Sequence, residues 1–178
     1  MAIPSAALAY RRSALMNATK VTVKPPTEEV LKARDSFADF CKAMGKPPAK
    51  HMLEWHNELC TGTDSECLLG IAGPNTSILA PRGSAKSTVL GLFAAWMIGR
   101  HAAAKKMLRI LYIAYMVDIS RAKSATIKGI LTSNKYREIF PMVRLSKLRR
   151  SDEYWSIDYE FAGIDTAGEE AFTIACGG

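Results

Sequence analysis

Ser77-Ile78-Leu79-Ala80-Pro81-Arg82-Gly83-Ser84-Ala85-Lys86-Ser87-Thr88 is the stretch on which the fold turns. A short apolar run enters a Pro/Gly loop, the loop ends in Lys-Ser-Thr, and a long apolar segment follows. Strand, loop, helix is the layout of a phosphate-binding P-loop. Backbone N–H groups must wrap a polyphosphate there, so the loop needs residues small enough for the backbone to approach. The helix behind the loop aims its unpaired N–H groups and positive dipole end at the same anion. Lys86 then reaches the β- and γ-phosphates and the Ser87 hydroxyl ligates Mg²⁺. The usual pattern, G-x-x-x-x-G-K-[ST], has glycines at the two positions held here by Ala80 and Ala85, and only Gly83 lies inside the loop. Alanine is the next smallest residue, and an ordinary β-turn-α bearing a surface lysine is the competing reading of the same stretch.

Outward from the loop, residues 87–101 read as a helix that is apolar almost all round, as one buried against a sheet must be. Residues 107–115 read as a buried strand, nearly continuous in apolar side chains, as a parallel sheet requires. With a strand at 76–79 they make a right-handed βαβ unit. A helix over 119–132 follows, with Asp118 or Ser120 as its cap and Ile119, Ala122, Ala125, Thr126, Ile130 and Leu131 on its inner face. Residues 141–153 carry Arg144, Lys147, Arg149 and Arg150 in a loop. Trp155, Ile157, Tyr159 and Phe161 alternate with Ser156, Asp158 and Glu160, a period-two strand, and 171–176 is another strand candidate.

Upstream, Thr27 is an N-cap with Glu28 and Glu29 in the first turn. Val30, Leu31, Phe37, Phe40, Cys41 and Met44 then share a face until Gly45 and Pro47-Pro48 stop the helix. A second helix runs over 49–60, and residues 61–75 read as a loop. The organisation expected is a basic flexible arm over 1–26, a helical lead-in over 27–75, and an α/β core over 76–178. At 178 residues, 48% hydrophobic and 23% charged, the chain can bury a core of its own. Its net charge of +7 favours polyanionic neighbours. No apolar run is long enough for a membrane span. Cys41, Cys60, Cys67 and Cys176 form no C-x-x-C pair. His56, Cys60 and Cys67 are conceivable metal ligands, but free or buried thiols in a reducing compartment are the expectation.

The deviant loop, Ala80-Pro81-Arg82-Gly83-Ser84-Ala85-Lys86-Ser87-Thr88, resembles that of the large terminase subunit of tailed bacteriophages, the ATP-driven motor that packages DNA into capsids. Leu111-Tyr112-Ile113-Ala114 and His51-Met52-Leu53-Glu54-Trp55-His56 look similar too, so the resemblance covers about residues 48–135 and is closest to the short-tailed and cyanophage branch. It implies a P-loop NTPase core of the RecA-like kind with a parallel sheet, incomplete at 178 residues and preceded by two helices. It further implies Mg-ATP held by Pro81, Arg82, Gly83, Ser84, Ala85, Lys86, Ser87 and Thr88, with Arg82 and Lys86 acting on the γ-phosphate and His56 near an adenine-contacting motif. The implied partners are double-stranded DNA, a portal protein, a small terminase subunit and further copies in a ring. The implied place is the host cytoplasm, docked on the procapsid. Hydrolysis also needs carboxylates for Mg²⁺ and for the attacking water. The family's apolar strand ending in paired acids is absent after residue 118, Glu169-Glu170 precedes an apolar run instead, and the nuclease domain is missing. Asp118, after an apolar run, is the competing metal-site acid. The basic cluster at 144–150 and Arg121, Lys123 and Lys128 are candidate DNA contacts, or plain solvated surface. A non-hydrolysing nucleotide- or DNA-binding assembly module, or part of an unrelated P-loop helicase or kinase, are the alternative functions.

Overall fold

The structure is a computed structural model that describes residues 25–60, 77–168 and 172–178. Residues 1–24 of the expected arm, the loop at 61–75, Cys67 and Glu169-Glu170 therefore lie outside the described residues. Among those described, helices α1 (Glu28–Asp35), α2 (Phe37–Ala43), α3 (Lys50–Leu59), α4 (Lys86–Ala103), α5 (Val117–Thr132), α6 (Asn134–Ile139) and α7 (Tyr159–Ala162) accompany strands β1 (Ile110–Ile113), β2 (Leu145–Arg150), β3 (Tyr154–Ile157) and β4 (Ile174–Gly177). No helix among them is long and apolar enough to cross a membrane.

The lead-in follows its local signals with one break. Thr27 Oγ1 accepts the Val30 N–H at 3.4 Å, as an N-cap should. The single helix expected onward to Met44 is two, because Ser36 turns extended (φ −119°, ψ 122°) and its hydroxyl caps α2 by accepting the Asp39 N–H. Gly45 then adopts φ +74°, a left-handed stop that glycine permits without a Cβ clash.

Helix α4 is the centre of the core, as its apolar circumference predicts. Val89, Leu92, Ala95, Trp96, Ile98 and Ala102 are buried. Trp96 Nε1 donates to Ala33 O at 3.2 Å and the Tyr136 hydroxyl donates to Ala95 O at 2.8 Å, so the buried polar ends of both rings are satisfied. Gly99 lets the fully buried Phe140 ring approach the α4 backbone.

The sheet corrects the parallel reading. Its order is β1-β4-β3-β2, and only β1 and β4 run parallel, with Ile110 opposite Ile174 and Tyr112 opposite Cys176. Strands β3 and β4 are antiparallel through Trp155 and Ile174, and β2 and β3 form an antiparallel hairpin. The sheet is mixed because the hairpin adds antiparallel to the far side of β4, leaving β2 as the outer edge. Residues 77–80 join no strand, and Leu79 is 94% exposed, so among the described residues the βαβ unit expected around the loop is not formed. Strand β1 is shorter than predicted and half-buried on one side only, with Leu111 and Ile113 exposed.

Three further corrections concern α5 and the hairpin. The basic stretch is not a loop: residues 145–150 are the edge strand β2. The alternating run past residue 157 is not one strand, because Asp158 caps α7 by accepting the Phe161 N–H at 3.0 Å. Helix α5 starts at Val117 and buries Ser120, Ser124, Ile127 and Leu131, whereas Ala122, Ala125 and Thr126 are exposed. Its inner face is partly serine because the Ser124 hydroxyl accepts the Trp155 Nε1–H at 2.6 Å; an apolarity pattern misses such a face.

Candidate functional site

The 80–88 loop folds tightly onto its own lysine. Ser84 closes a turn on Pro81 O, through its N–H at 3.4 Å and its hydroxyl at 2.8 Å. Gly83 sits at φ +85°, and Ala85 at φ +60°, ψ 21°. The left-handed region thus falls at one of the two positions where the usual motif has glycine, and alanine occupies it at a cost of about 1 kcal/mol. The Lys86 ammonium bends back over the loop and donates to Ala80 O, to Pro81 O at 3.0 Å and to Ser84 Oγ at 3.3 Å.

Directly behind it begins α4, 18 residues long. Ala85 is its N-cap, so no side chain accepts the first N–H groups, and no acid lies in the first turn. Ser87 and Thr88 are exposed on that turn, and Arg82 is exposed on the outside of the loop. A charge-assisting lysine, uncapped N–H donors and two hydroxyls are a donor set suited to phosphate oxygens. For Mg²⁺, the Ser87 hydroxyl is the ligand this turn offers. Two concavities flank the turn. One of about 220 Å³ is lined by Ser87 and Thr88 together with Lys46, Tyr112 and Lys123. The other, about 330 Å³, lies between Ala85 and Thr88 and the apolar Pro47, Pro48 and Met52.

The helix upstream meets the loop through a different histidine from the one predicted. His56 is buried, stacked on Phe37 at 4.6 Å and set edgewise to Phe93 and Trp96, each at 5.5 Å. Its Nδ1 lies 3.9 Å from Cys60 Sγ. It is a core residue and does not reach the loop surface. His51 does: its Nε2 lies 3.4 Å from Ser84 O, and its ring sits edgewise to the half-buried Trp55 at 4.9 Å. The signal that could have found His51 is its place on the exposed side of the helix, ahead of the apolar stripe.

Asp118 does not end a strand. It lies in the first turn of α5, exposed, with its carboxylate 3.0 Å from Arg121 Nη1. Arg121 also pairs with Glu153, and that hydrogen bond, above all other influences, raises the affinity of its guanidinium for its proton. Among the described residues, no three or more His, Cys, Asp or Glu side chains converge as a metal site. Of the candidate DNA contacts, Lys128 is committed to Arg150 O and Ser151 O at 2.8 Å and to Asp152 at 2.7 Å. Lys147 and Arg150 stand exposed on the edge strand.

No protein-family model, curated protein or solved structure matches this chain.

Proposed function

We propose that the 80–88 loop binds the phosphates of ATP with Mg²⁺, and that the chain is the ATP-binding part of a phage terminase large subunit with a RecA-like P-loop core. The observation that carries the reading is the uncapped, acid-free start of α4 behind a loop whose lysine reaches across it. An entering triphosphate exchanges the Lys86 contacts to Ala80 O and Pro81 O for contacts to its own oxygens, and the backbone N–H groups of residues 86–88 receive the anion. Ser87 supplies a hydroxyl to Mg²⁺, which neutralises phosphate charge. Arg82, on the loop's outer side, is free to swing onto the γ-phosphate, where a guanidinium fork matches the developing charge. In the complete motor this site would couple ATP hydrolysis to moving double-stranded DNA through a portal, with a small subunit and further copies of the chain as partners.

The test is nucleotide binding by calorimetry and phosphate release with and without duplex DNA, in the parent and in Lys86→Ala. Magnesium-dependent ATP binding lost in Lys86→Ala supports the site. Binding unchanged by that substitution refutes it. The pairing of Asp118 with Arg121 favours a second reading, a module that binds nucleotide without hydrolysing it. Lys86-dependent turnover by these 178 residues would eliminate that reading.

A further inference from the structure

A groove of about 670 Å³ lies where the C-terminal part of α5, helix α6 with the segment after it, and the β2–β3 hairpin meet, and it shares no lining residue with the 80–88 loop. Five cations from these elements line it: Lys128, Arg137, Arg144, Arg149 and Arg150. No carboxylate lines it among the described residues, and of its cations Lys128 is paired from outside by Asp152 at 2.7 Å. Converging like charges repel one another, and an anion in the groove removes that cost.

Several of these cations are oriented before any ligand arrives. Arg144 lies 3.7 Å over the Phe161 ring. Arg149 lies 5.3 Å over Tyr154 and donates to its hydroxyl at 2.9 Å. Arg150 Nε donates to Ser146 O at 2.9 Å, and Lys128, its side chain only 14% exposed, is fixed by three acceptors. A planar guanidinium held by a ring face or by one N–H still presents a fork to phosphate oxygens, and its pre-organisation reduces what binding must order. Beneath them, Leu131, Val143 and Trp155 are almost completely buried and form a dry floor that strengthens the attraction above it.

We propose that this groove is a second anion site, independent of the 80–88 loop, and that it takes a compact polyphosphate. Its volume falls within the range of small-molecule sites. At about 670 Å³ it admits a short phosphate chain, whereas a rigid duplex meets only its rim.

The probe is inorganic tripolyphosphate, titrated calorimetrically into the full chain carrying Lys86→Ala, which silences the loop. One binding event is expected to remain, and Arg137→Gln is expected to weaken it about tenfold. Arg137 is exposed, so this variant tests the groove without disturbing packing, and an unchanged melting temperature checks that. Arg137→Gln combined with Arg150→Gln is expected to abolish binding. Loss of all tripolyphosphate binding with Lys86→Ala, or affinity unaffected by Arg137→Gln, overturns the proposal. So does a short DNA duplex that binds more tightly than tripolyphosphate and depends on the same arginines, since the groove would then be part of a nucleic-acid surface. Failure of the 80–88 loop to bind ATP leaves this experiment intact, because the titration is made with that loop already silenced.

Discussion

Replacing Gly99 with alanine sets two effects of known sign against each other. Alanine is the better helix former by about 1 kcal/mol, so propensity alone makes Gly99→Ala stabilising. The structure opposes this. A Cβ at position 99 would stand 2.4, 2.5 and 2.6 Å from Cδ2, Cγ and Cε2 of Phe140, where ordinary contact begins at 3.4 Å. The ring would have to retreat by about 1 Å, and it is fully buried with Tyr136 at 5.3 Å and Phe40 at 6.2 Å between centroids. Overpacking of this kind costs roughly 1–3 kcal/mol, and a clash with three ring carbons belongs at the upper end. The net expectation is a loss of about 1–2 kcal/mol, or roughly 2–8 °C in Tm for a chain of this size. Urea and thermal unfolding followed by circular dichroism measure it. In a Phe140→Leu background the flat ring is gone, so adding Gly99→Ala should cost nothing or stabilise, giving a coupling of at least ~1 kcal/mol between the sites. A higher Tm for Gly99→Ala in the parent, or strict additivity with Phe140→Leu, would refute the packing argument.

Ala85→Gly removes the left-handed strain of about 1 kcal/mol but adds unfolded-chain entropy of similar size, so stability should change by less than about 1 kcal/mol. Ala85→Val, β-branched at φ +60°, should lose more than ~1 kcal/mol, and the reverse order in thermal unfolding would contradict the assigned geometry. Ser124→Ala leaves the buried Trp155 N–H without its acceptor and should cost about 1–3 kcal/mol, read from urea midpoints; a neutral result would mean that the indole finds another partner. His101 is buried, and burial, opposed by its bond to Met97 O, lowers its pKa below the ordinary 6.5. The folded state therefore binds this proton less readily than the unfolded chain, so its neutral form supports stability above pH 6.5 and stability falls as pH drops below it. The fall in Tm between about pH 7 and pH 5 should be shallower in His101→Gln, and identical slopes would show that another group governs it.

The amino-acid sequence by itself determined the features that neighbours along the chain decide. Thr27 as a cap, Gly45 as a stop, the 80–88 loop and the all-round apolar α4 rest on backbone sterics and on a period of 3.6 residues, so each was legible. The helix start at Lys86, Ser87 and Thr88, on which the proposed site rests, was legible for the same reason. Only the tertiary structure decided which residues meet across the chain. Whether Trp155 pairs parallel or antiparallel with Ile174 has no local signature, because both orientations present the same alternation of side chains. His51 and His56 lie on one helix, and only the packing of Phe37 and Phe93 against its inner side placed His56 in the core and left His51 against Ser84. Asp118 ends an apolar run in sequence, yet the approach of Arg121 and Glu153 from α5 and the hairpin set its surroundings. Lys147, Arg149 and Arg150 read as a loop until β3 paired with their strand. Strand pairing and charge partnership are interactions at long sequence separation, and their energy depends on positions in space that a local pattern does not contain.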